Sequence, residues 1–140
     1  PVGKRVVIIG GGLHGCELAE FLVKRGKKIT IVEAAETLGE GVPERKKHSL
    51  FRWLNKKGVT MISGVKYEEI TDKGLIINVK GDKKTLEADT IIPAVPLTPN
   101  NELFKKLQGK VPEIYAIGDC MEPGVIIDAT DAAYRLANTI

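Results

Sequence analysis

The stretch KRVVIIGGGLHGCELAEFL (residues 4–22) constrains the fold of this chain more than any other. The β-branched apolar run Val6–Ile9 ends on glycines and gives way at once to apolar residues at helical spacing. Such a run predicts a strand buried on both faces. Leu13, Leu18, Phe21, Leu22 and Val23 predict the inner stripe of a helix reaching to about Arg25, with Gly26 as its stop. KKITIVE (27–33) predicts a second strand. Strand, glycine turn, helix and strand within about 30 residues form a βαβ unit.

The turn carries Gly10, Gly12 and Gly15 in the spacing GxGxxG. On its own this pattern says little, but between a strand and a helix each glycine acquires a task. Gly10 permits the tight turn, Gly12 lets a pyrophosphate approach the backbone, and Gly15 lets helix and strand pack closely. The helix start offers unpaired N–H groups and the positive end of its dipole to the phosphates. Such an end contributes roughly 0.3–1 kcal/mol toward an exposed anion, too little alone for tight binding. Glu33 closes the second strand, where a carboxylate accepts hydrogen bonds from an adenosine ribose and repels a 2′-phosphate. Ala34 and Ala35 follow it, with no Arg to hold such a phosphate, so NADH is expected over NADPH. Leu13 and His14 complete the turn and join the candidate cofactor-binding set, His14 as a variable, partly exposed side chain. Cys16 is expected to pack as a small apolar residue. The other reading is a reactive thiol activated by the helix N-terminus.

Downstream, VPERKKHSLFRWLNKKG (42–58) predicts a helix with Pro43 in its first turn and Val42, Leu50, Trp53 and Leu54 inside. VTMIS (59–63) predicts a third short strand. Residues 65–88 have no helical period; breaks at TDKG and KGDK predict three antiparallel strands near 65–71, 74–80 and 84–88. TIIPAV (90–95) returns to buried-strand composition, LTPNNELFKKL gives a turn and a short helix, PEIYAIGD (112–119) predicts a last strand, and VIIDATDAAYRLANTI a closing helix. The expected class is α/β: a Rossmann-like parallel sheet with flanking helices and an antiparallel three-stranded crossover meander.

At 140 residues, 43% hydrophobic and 28% charged, the chain is long enough to bury a core without staples. A net charge of +3, with Lys and Arg spread along the chain, gives no indication of nucleic-acid binding. No apolar run approaches the ~18 residues that a membrane span requires. Cys16 and Cys120 stand far apart, with no CxxC pair and no metal-ligand spacing, so no metal site is expected and the chain reads as cytoplasmic.

GGGLHGCELAEFL…GKKITIVE resembles the NAD(P)H domain of FAD-dependent pyridine nucleotide oxidoreductases, above all the NADH:flavin oxidoreductases of the 2-enoate reductase and 2,4-dienoyl-CoA reductase type. Glu17 matches that family's GxGxxGxE pattern, where the resemblance places the acid near nicotinamide and flavin; an exposed carboxylate at a helix start explains it equally. ADTIIPAVPLTPNNEL is similar to the family's return segment through Asp89, Ala94, Pro99, Asn100, Glu102 and Leu103. Pro96 stands where the family has glycine. EIYAIGDC is similar to the family's FAD signature, which implies that Gly118 and Asp119 approach the flavin cofactor.

The resemblance implies a module that binds NADH and sets its nicotinamide against FAD in a larger enzyme. On this reading, residues 1–107 form the NAD(H)-binding domain and 108–140 the returning piece of an FAD domain. The implied partner is the remainder of that flavoprotein, its FAD domain and, in the 2-enoate type, a barrel with FMN and iron–sulfur cysteines. No residue is singled out as a catalytic acid or base. A non-catalytic nucleotide-holding or redox-sensing module on the same fold is the alternative.

Overall fold

The computed structural model describes residues 1–140. The chain forms two compact units, Pro1–Val95 and Pro96–Ile140.

The first unit has three layers. Its centre is a parallel sheet of β1 (Arg5–Ile9), β2 (Lys28–Val32), β3 (Thr60–Ile62) and β7 (Thr90–Pro93), in the order β3-β2-β1-β7. Two helices, α1 (Leu13–Val23) and α2 (Glu44–Lys56), supply the residues that pack on one face. An antiparallel sheet of β4 (Val65–Thr71), β5 (Gly74–Val79) and β6 (Asp82–Glu87) supplies the other.

β1 explains why the centre is apolar throughout. Successive strand side chains point to opposite faces. Val6 and Ile8 pack with Ala19, Leu22, Leu54 and Val59 on the helical side. Val7 and Ile9 pack with Val65, Leu75 and Ile77 of the meander. Burying each such side chain contributes roughly 1.5–3 kcal/mol. The expected class is therefore the one observed.

Several details differ from the sequence-based expectations. The inner face of α1 is made of Gly15, Cys16, Ala19 and Leu22, whereas Phe21 is 50% exposed and lies under Arg25, 3.4 Å from guanidinium carbon to ring centre. Small residues face the sheet because the helix approaches it closely, and the bulky aromatic is turned outward. Pro43 caps α2 from outside rather than standing in its first turn. β6 begins at Asp82, two residues before its expected start.

The meander is clamped to the parallel sheet by Arg5. Asp89 Oδ2 accepts the N–H groups of Arg5 (2.8 Å) and Lys4 (3.1 Å), and Oδ1 accepts Arg5 Nη2 (2.7 Å) and Nε (3.1 Å). Arg5 Nη1 meets Glu87 at the end of β6 at 2.5 Å. These bonds to the guanidinium and backbone, Arg5 first, pull the Asp89 carboxyl down to about 2.

The second unit contains α3 (Glu102–Leu107), a 3₁₀ turn at Gly118–Cys120 and α4 (Ile126–Ala137). None of its residues is buried. Ile126 and Tyr134 on α4 are 84% and 71% exposed. The strand expected at 112–119 is absent: the segment before Gly118 pairs with no other, because its unit holds no strand to complete a ladder. No helix of the chain is long and apolar enough to cross a membrane.

The Asp89 clamp carries a pH signature. A carboxylate with a lowered folded-state pKa stabilises the fold above its unfolded value and loses that contribution as pH falls through the folded value. The window is from about 3.8 to about 2. Urea unfolding followed across that window is expected to show a steeper loss of stability in the wild-type chain than in Asp89→Asn, with the difference shrinking in high salt. Equal slopes would contradict the clamp.

Candidate functional site

The glycine turn joins β1 to α1, and its conformation follows from backbone approach. Gly10 sits at φ +110°, a region closed to most side chains, and a Cβ there would strike the Ala94 carbonyl. A Cβ on Gly15 would overlap the Gly10 carbonyl oxygen. Gly12 differs: a Cβ there would make only an ordinary contact, 3.4 Å from the Glu40 carbonyl oxygen. The first and third glycines are thus required by the fold, and the second is not.

Two bonds fix the turn to the end of β2. The Gly10 N–H donates to the Val32 carbonyl at 2.8 Å. The Gly11 N–H donates to Glu33 Oε2 at 2.6 Å. Glu33 Oε1 accepts the Ala35 N–H at 2.9 Å. A carboxylate has about four acceptor positions, so Glu33 keeps capacity for a hydroxyl donor.

A strap that sequence reasoning missed crosses the turn. The Gly39 N–H donates to the Gly11 carbonyl at 2.7 Å, and the Leu13 N–H donates to the Glu40 carbonyl at 2.8 Å. Leu38 packs on the helical core, and its side chain lies where a Cβ on Gly11 would go. The signal was present as LGEG (38–41), two glycines one residue apart in the loop between β2 and α2. The Leu13 amide is therefore engaged. The amides of Gly12, His14 and Gly15 have no partner. Unpaired donors at a helix start are the groups that an anion can engage.

His14 and Glu17 are exposed, and Glu17 makes no ion pair. Cys16 is fully buried, with its thiol 3.4 Å from the Gly11 carbonyl oxygen. Burial, aided by Glu17 and Glu33 and opposed by Lys47, pushes that thiol up to about 11. It packs as a small apolar group and is not activated.

Gly118 and Asp119 lie in the second unit. Asp119 Oδ1 accepts the Gly124 N–H at 3.3 Å. Asp128 Oδ2 accepts the Val125 N–H at 2.8 Å and so caps α4. Ala116, Ile117, Gly118, Gly124 and Asp128 help line a cavity of about 410 Å³. The structure thus brings together Gly10, Gly12, Leu13, Gly15 and Glu33 in one unit, and Gly118 and Asp119 in the other.

A glycine turn between β1 and α1, with an acid closing β2 of a parallel sheet, is the arrangement of a Rossmann-like α/β unit. Residues 1–137 match the pyridine nucleotide-disulphide oxidoreductase family, and the chain belongs to it. It is 32% identical over 136 residues to an NADH oxidase of Thermoanaerobacter brockii, covering 96% of this chain and 21% of that protein. It is 32% identical over 142 residues to a cinnamate reductase of Clostridium sporogenes, covering 99% and 21%. Among solved structures it is similar to 2-naphthoyl-CoA reductase in complex with 2-naphthoyl-CoA, with a TM-score of 0.92 at 27% identity, covering 100% of this chain and 22% of that one. The chain thus spans about a fifth of the length of these relatives.

Two substitutions separate fold from grip. Gly15→Ala is expected to destabilise the protein by about 1–3 kcal/mol, because α1 must move off the sheet. Gly12→Ala is expected to cost less than about 1 kcal/mol, since Ala is a poorer cap than Gly but meets no obstacle. Thermal unfolding checks both, and equal losses would contradict the assignment. A disulfide reagent is expected to modify Cys120 in the native protein and Cys16 only after unfolding.

Proposed function

We propose that the first unit binds NADH and positions its nicotinamide for hydride transfer to FAD within a larger flavin-dependent oxidoreductase of the enoate-reductase type. The observation that carries this reading is the cradle of three unpaired amides, Gly12, His14 and Gly15, beside the Glu33 carboxylate.

The residues fit the coenzyme. A diphosphate would meet donors without displacing an existing bond, and the Cβ-free surface of Gly12 leaves it room. Glu33 would accept the adenosine ribose hydroxyls and oppose a 2′-phosphate. Leu13 and His14 would border the diphosphate through the backbone, and Glu17, exposed one turn into α1, would lie toward the nicotinamide end. Gly118 and Asp119 would hold FAD beside the open cavity of the second unit. Bound there, the coenzymes would supply the hydride chemistry; the chain's own part is binding and orientation, and no side chain here is assigned a proton-transfer step.

The relatives support this reading: an NADH oxidase, a cinnamate reductase and a reductase in complex with an acyl-CoA thioester. The second unit supports a further partner, since it buries nothing and exposes Ile126, Ile127 and Tyr134. That partner is the rest of the flavoprotein, with 1–107 serving as the NAD(H) domain and 108–140 completing the FAD domain.

Calorimetric titration of the full-length protein tests the coenzyme assignment. NADH is expected to bind more tightly than NADPH, and Glu33→Gln is expected to weaken NADH about tenfold, as for loss of a hydrogen bond to a charged group. Tighter binding of NADPH would overturn the role given to Glu33.

A further inference from the structure

One side chain from the meander reaches the end of β2. The Tyr67 hydroxyl of β4 donates to the Val32 carbonyl at 3.3 Å. That same carbonyl accepts the Gly10 N–H of the glycine turn at 2.8 Å. A single acceptor, adjacent in sequence to Glu33, therefore joins the meander to the turn.

The backbone of β4 is shaped at this point. Its pairing with β5 is regular to Tyr67↔Ile77, then shifts so that Glu69 faces Ile76. Glu68 is the extra residue of a bulge, and its carboxylate turns to Lys83 (2.6 Å) and Asn78 (3.3 Å). Bulges bend a strand and re-aim its side chains, and they recur beside functional sites. Tyr67 is the residue just before this one, and it is one-third exposed, with its hydroxyl at the sheet edge.

Glu33 itself is held from the same side. Its N–H donates to the Ile62 carbonyl at 2.8 Å, and its carbonyl accepts the Val65 N–H at 3.1 Å. The start of the meander thus grips the backbone of Glu33, and Tyr67 grips the residue before it.

We propose that Tyr67 is a positioning and specificity residue for the coenzyme: it locks the end of β2 that carries Glu33 and favours an adenosine ribose with free hydroxyls. This deepens the reading of Glu33 as the ribose-binding carboxylate and rests on it. The phenol's one proton is committed to Val32. Its oxygen then presents only lone pairs, which accept from a ribose hydroxyl and disfavour a phosphate. Burial, reinforced by the Glu33 charge and partly offset by the Ala34 backbone, raises the phenol's pKa above its ordinary value.

The test is titration of the full-length protein and its Tyr67→Phe, Glu33→Gln and double variants with NADH and with NADPH, alongside thermal unfolding. Tyr67→Phe is expected to weaken NADH about three- to tenfold, the range for one hydrogen bond, and to leave NADPH unchanged, so that the preference narrows. The double variant is expected to lose less than the product of the two single effects. An unchanged NADH-to-NADPH ratio in Tyr67→Phe overturns the proposal, as does a parallel loss of both coenzymes with a lowered melting temperature. If Glu33→Gln still shifts the ratio in that case, the assignment of Glu33 survives alone. If Glu33→Gln leaves the ratio unchanged, the ribose assignment falls and takes this proposal with it.

Discussion

The close approach of α1 to the end of β1 is the constraint from which the rest follows. The Gly10 carbonyl occupies the space that a side chain at position 15 would need. Because that space is empty, the helix starts directly against the sheet edge. Its first turn then lies beside the end of β2, where Val32 and Glu33 tie down the amides of Gly10 and Gly11. The amides left over, at Gly12, His14 and Gly15, point where no protein acceptor stands.

The three-layer packing keeps that edge rigid. Every residue of β1 from Val6 to Ile9 is buried, two toward the helices and two toward the meander. The meander is no appendage, since it supplies Val65, Leu75 and Ile77 to the second core. Arg5 holds it at one end of β1 through Glu87 and Asp89, while Tyr67 meets the opposite end of the sheet at Val32. The exposed ion pairs contribute little on their own, but the four bonds converging on Asp89 fix register where β6 leads into β7.

Much of this was legible in the sequence. VVII predicted a strand with both faces covered and KKITIVE a second strand, and GxGxxG between strand and helix assigned each glycine a physical task. The meander was readable from its breaks at TDKG and KGDK. What escaped was tertiary. No pattern distinguishes Phe21 facing in from Phe21 facing out until the small residues Gly15, Cys16 and Ala19 are seen against the sheet. The strap through Gly39 and Glu40 is held by backbone bonds, which the glycines of LGEG permit but whose partners they do not specify. Tyr67 sits in a strand whose bulge cannot be read from composition. The segment at 112–119 has strand composition, but a strand requires a neighbour, and its unit has none.

The central claim is that the unpaired amides at the start of α1 clasp a diphosphate. A crystal structure of the full-length protein grown with NADH tests it most directly. The account requires the diphosphate oxygens within hydrogen-bond distance of the Gly12, His14 and Gly15 amides, with the Leu13 amide still on the Glu40 carbonyl. Coenzyme bound elsewhere, with those three amides facing only solvent, would contradict it.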